Sequence, residues 1–139
     1  MGFAWMCGGL VNRRLLSLSL MSKMRVAIIC AISLAIIMFM ISLKSENIYT
    51  ILIPAFFMHC LAGFIFNNYF AYCLSMFPRY AGTAGGIAGS GAYVVTFLGS
   101  SILAGMLPSS AVTSLAAGYF ILAIACWLLY KKINSQIAN

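Results

Sequence analysis

One side-chain carboxylate, Glu46, and one imidazole, His59, are all that 139 residues hold of those chemistries. A carboxylate pair for general acid–base work is therefore excluded, as is a metal site built from Asp, Glu and His. No Gly-x-Ser-x-Gly, His-Glu-x-x-His or Gly-Lys-Ser/Thr signature occurs, and Ser90 and Ser100 have no neighbouring base to activate them. The five cysteines, Cys7, Cys30, Cys60, Cys73 and Cys126, follow no metal or redox spacing and are expected to be reduced, buried packing residues. No enzyme activity, cofactor or metal is expected.

Charge is scarce altogether. Charged residues make up 6% of the chain and hydrophobic ones 64%, with a mean hydropathy of +1.07, whereas soluble domains carry roughly 25% and 45–50%. The composition is that of an all-α, polytopic integral membrane protein. Eight Lys and Arg against one acid give a formal charge of +7, which in another chain points to nucleic acid. Here the bases border uncharged runs instead of lining one polar face, so no nucleic-acid partner is expected and the lipid bilayer is.

The bases and turn residues divide the chain. Residues 26–43 form an uncharged run long enough to cross a hydrocarbon core of roughly 30 Å at about 1.5 Å per residue. A second span is predicted over 48–76, with Pro54 reshaping its outer part. Pro108-Ser109-Ser110 splits the following uncharged run into spans at 82–106 and 113–130. Residues 1–10 lack a basic n-region and a small-residue cleavage pattern, and Met6 stands where a myristoylation signal wants Ser or Thr. They are expected to be a partial helix, the end of one that begins elsewhere. A loop over 11–25 and a tail over 131–139 complete one membrane segment, 1–139.

Arg13, Arg14, Lys23, Arg25, Arg79, Lys131 and Lys132 fall on one side of this arrangement and Lys44 alone on the other. The positive-inside rule makes the first side cytoplasmic, the C-terminus included.

Five glycines, Gly82, Gly85, Gly86, Gly89 and Gly91, crowd ten residues of the third full span. Each costs about 0.5–1 kcal/mol relative to Ala in a helix interior in water. In a membrane such residues let helix backbones approach, so these five are the candidate helix-packing residues. His59 lies about eleven residues into the second span, roughly 16 Å from its outer end, near the midplane where an ionisable group is a functional candidate. His59, Gly63 and Asn67 follow i, i+4, i+8 spacing and share a helical strip. With Asn68 they are the candidates to line a substrate cavity; the other reading of all three polar residues is hydrogen bonding between or within helices.

The stretch Asn68-Tyr69-Phe70-Ala71 through Met76-Phe77-Pro78-Arg79-Tyr80-Ala81-Gly82-Thr83-Ala84 and Ala88-Gly89 resembles the tenth and eleventh helices of the major facilitator superfamily. More narrowly it is similar to the bicyclomycin-resistance and chloramphenicol-efflux group of drug:proton antiporters, in which Phe-Pro and Ala-Gly-Thr-Ala open the eleventh helix. A second echo is Gly8-Gly9-Leu10-Val11-Asn12-Arg13, which is similar to the superfamily's Gly-x-Leu-x-Asp-Arg loop. Asn12 replaces the Asp and removes its charge, so Gly8, Leu10, Asn12 and Arg13 carry no expected gating role.

The resemblance implies the end of helix eight followed by helices nine to twelve, out of roughly twelve in two halves of about six. It implies that the tenth and eleventh helices approach a central cavity, and that a proton-coupling carboxylate belongs to the amino-terminal half. The implied partners are that half, a small drug-like substrate and a proton; the implied location is a bacterial inner membrane. A chain of this extent is not expected to transport alone. The alternative is an autonomous small membrane protein that self-associates through the glycine helix as a structural or regulatory subunit.

Overall fold

The computed structural model describes residues 2–44, 47–106 and 112–137. Among them all regular structure is helical: α1 (Gly2–Arg14), α2 (Leu20–Ser42), α3 (Tyr49–Met76), a 3-10 turn (Pro78–Tyr80), α4 (Ala81–Met106) and α5 (Val112–Ile137). Four segments are long and apolar enough to cross a membrane, Leu20–Ser42, Ile51–Met76, Pro78–Met106 and Thr113–Lys132. At 13 residues, α1 reaches only about 20 Å. Glu46 and the Pro108 turn lie outside the described residues.

The helices run past the charges that were expected to end them. Ser19 caps α2, its Oγ accepting the Ser22 N–H at 3.4 Å, so Lys23 and Arg25 belong to the first two turns of a helix. Arg13 and Arg14 close α1, which shrinks the expected 11–25 loop to residues 15–19. Lys131 and Lys132 lie within α5, and the expected 131–139 tail is helical as far as Ile137. The reason is simple. A charge ends what hydrocarbon accepts, but Lys and Arg are good helix formers. Pro54 removes one N–H from its ladder, yet α3 is a single helix through it.

Side-chain contacts fix the helix directions. Phe3 meets Phe56 with ring centroids 6.4 Å apart and Trp5 meets Phe66 at 5.3 Å, so contacts advance together and α1 runs parallel to α3. Between α2 and α5 they advance oppositely: Phe39 stacks on Phe120 at 5.6 Å, and near the start of α5 the Thr113 hydroxyl donates to the Ser42 carbonyl at 3.3 Å. These directions bring the C-termini of α1, α3 and α5 and the N-terminus of α2 to one end. All seven bases counted to one side in the sequence sit there, and Lys44 sits at the other.

The core is small and lies where α2, α3 and α5 meet. Met38, Ile51, Ala55 and Ala116 are buried there, with Phe39 and Tyr119 packed against them. Helix α1 joins through glycine: a Cβ on Gly8 would come within 2.8 Å of the Phe64 nitrogen, so the backbones of α1 and α3 touch, as small residues permit in membranes. Helix α4 stands apart. It packs on α3 and has no buried residue. Three of its hydroxyls bond within the helix, Ser90 to the Gly86 carbonyl at 2.7 Å, Thr96 to Ala92 at 2.8 Å and Ser100 to Thr96 at 2.7 Å, so these need no neighbour.

Candidate functional site

The strip His59, Gly63 and Asn67 does not converge on one cavity. It faces two different helices. The His59 ring lies edge-on to Tyr119 of α5, with centroids 6.1 Å apart, and its Nδ1 is 2.8 Å from the Ala55 carbonyl oxygen. A carbonyl only accepts, so Nδ1 carries the proton, and in the neutral ring Nε2 is the acceptor. Gly63 turns instead toward α1, where a Cβ would sit 2.7 Å from the Trp5 carbonyl oxygen. The Asn67 amide lies against Gly9 of α1, 3.0 Å from where a Cβ would be built. Asn68 is buried and donates from Nδ2 to the Phe64 carbonyl of its own helix at 2.8 Å.

The geometry therefore separates the candidates by task. Gly63 and Asn67 belong to the α1–α3 seam, Asn68 braces α3 from within, and His59 sits at the α3–α5 contact beside the cluster of Met38, Ile51, Ala55 and Ala116. Tyr119 completes that contact and carried no signal in the sequence: one aromatic among many, 60 positions from its partner.

Gly8, Leu10, Asn12 and Arg13 all lie on α1 rather than in a loop. Gly8 makes the backbone contact with α3. Asn12 accepts a long hydrogen bond, 3.5 Å, from the Lys23 ammonium of α2, so it meets a cation as a neutral group. A cavity of about 290 Å³ opens between α1, α2 and α3 beside this pair; Gly8 lines it, and His59, Gly63, Asn67 and Asn68 do not.

Of the five candidate packing glycines on α4, one meets a neighbour. A Cβ on Gly85 would lie 3.3 Å from Leu74 and 3.4 Å from Phe70 of α3, while Gly82, Gly86, Gly89 and Gly91 have open space around them. Among the described residues nothing covers most of this glycine strip. The five cysteines are free, and Cys30 and Cys126 are exposed on helix faces instead of buried as expected; on such faces a thiol behaves as a small hydrophobe against lipid.

No protein family, curated protein or solved structure matches this chain.

Proposed function

We propose that the chain is the carboxy-terminal part of a major facilitator transporter, in complete form a proton-coupled efflux pump for drug-like molecules in the bacterial inner membrane, and that it does not transport alone. The observation that carries the reading is the turn from Phe77 through the 3-10 residues Pro78–Tyr80 into α4, the segment whose sequence resembles the antiporter group, followed by a glycine strip that, Gly85 apart, no described residue covers. A helix that gives up side-chain packing at Gly82, Gly86, Gly89 and Gly91 is suited to backbone contact with another helix. In this reading those four residues face the amino-terminal half. The clustering of seven bases at one end supports a cytoplasmic C-terminus.

His59 is the one titratable candidate near the midplane, and its neutral Nε2 can accept a proton or a substrate donor once a cavity wall is completed from outside. With one acid in the chain, the coupling carboxylate is assigned to the other half.

Co-purification tests the reading. A tagged amino-terminal part encoded upstream of Met1, expressed with this chain, is expected to retain it in mild detergent and to lose it on Gly86→Leu. An unrelated upstream gene, together with a homo-oligomer of this chain that Gly86→Leu breaks, would replace the transporter reading with the self-associating subunit.

A further inference from the structure

The cavity between α1, α2 and α3 is apolar along its length and cationic at one end. Val11, Leu15, Val26, Ala27 and Phe64 supply apolar wall, and Ser22 and Lys23 stand at the end where the bases gather. Its volume, about 290 Å³, lies near the lower bound of small-molecule sites, roughly 300–1,000 Å³.

Lys23 is the anomaly. It is 9% exposed, yet its ammonium carries three donors and its hydrogen bond is the long one to the neutral Asn12 amide. A buried charge is ordinarily paired. Among the described residues no carboxylate approaches it, and the one acidic side chain, Glu46, follows the far end of α2 in sequence. Arg13 and Arg14 close α1 and Arg25 follows on α2, so the surroundings add positive charge and no compensation.

The geometry points to an anionic phospholipid as the occupant: one acyl chain lies in the apolar cavity between α1, α2 and α3, and its phosphate meets the Lys23 ammonium. Charge complementarity selects the anion, because a basic cluster at a membrane surface attracts acidic headgroups. The apolar wall selects a lipid over a free anion, since a soluble phosphate gains nothing from Val26 or Phe64. Asn12 then holds the ammonium toward the headgroup. This site is independent of the transporter reading and holds whether or not α4 has a partner.

The test uses the purified full chain in a neutral detergent with spin-labelled phosphatidylglycerol and phosphatidylcholine of equal chain length, with glycerol 3-phosphate as a competitor lacking chains. The wild type is expected to prefer phosphatidylglycerol by about fivefold, the effect of one base at a surface, and glycerol 3-phosphate at matched concentration leaves that preference in place. Lys23→Gln removes it, Lys23→Arg keeps it and Lys44→Gln at the opposite end has no effect. Val26→Trp, which fills the cavity and leaves the ammonium, also removes it. Equal binding of the two lipids by the wild type, a quantity that needs no variant, overturns the proposal. So does full displacement by glycerol 3-phosphate, which makes the site one for soluble anions.

Discussion

Gly63 of α3 packs on the backbone of Trp5 in α1, so closely that a Cβ there would lie 2.7 Å from the Trp5 carbonyl oxygen and 2.9 Å from its Cα. Gly8 makes the reciprocal approach, from α1 to the backbone of α3. The two glycines let α1 lie flush along α3. The result is a parallel pair that brings Arg13 and Arg14 to the same end as Arg79.

Substituting Gly63→Leu is expected to lever α1 away from α3. Forcing bulk into a filled contact costs about 1–3 kcal/mol, read as a loss in thermal or denaturant stability of the purified chain. Gly86→Leu, with open space around it, is expected to stay within about 0.5 kcal/mol. Equal effects of the two would contradict the seam described here.

Thr113→Val removes the hydrogen bond to the Ser42 carbonyl that ties α5 to α2. Interhelical bonds of this kind contribute about 0.6 kcal/mol and reach about 1.7. A small loss in stability with unchanged helical content is expected; no loss shows the bond contributes nothing net.

Orientation is checked by cysteine labelling in a chain whose five cysteines are replaced by alanine. Ser17→Cys and Ser135→Cys are expected to react with a membrane-impermeant maleimide from the cytoplasmic side, and Lys44→Cys from the outer side. The reversed pattern refutes the assignment made from the seven bases.

At His59 the hydrogen bond to the Ala55 carbonyl predicts a proton on Nδ1, which nitrogen NMR reads directly; an Nδ1 without a proton would contradict the bond. In a reconstituted transporter His59→Ala is expected to alter drug resistance or its pH dependence while protein levels hold. An unchanged profile returns His59 to packing against Tyr119.

Four long apolar helices were legible in the sequence, since hydropathy and the placement of eight bases are one-dimensional properties. Helix ends were less legible, because Lys23, Arg25, Lys131 and Lys132 mark where hydrocarbon stops and helices do not stop there. Partners were hardest. His59, Gly63 and Asn67 share spacing, but each step of four residues rotates the strip by about 40°, enough to carry it from α5 to α1. Gly8 and Gly63 stood out in the sequence for a loop motif and a cavity strip, yet what they make is the close contact between α1 and α3. The patterned glycines of α4 have most of their surface uncovered. Lys23 looked like one more interfacial charge, and only the fold shows it buried beside a cavity.

We propose above that this chain is one part of an efflux transporter. Drug resistance of an efflux-deficient bacterial strain tests it most directly, with this chain, the upstream amino-terminal part and the two together expressed in parallel. The account predicts that neither alone raises the inhibitory concentration, that the pair does, and that Gly86→Leu abolishes the gain. Resistance from this chain alone, or none from the well-expressed pair across a panel of lipophilic drugs, would contradict it.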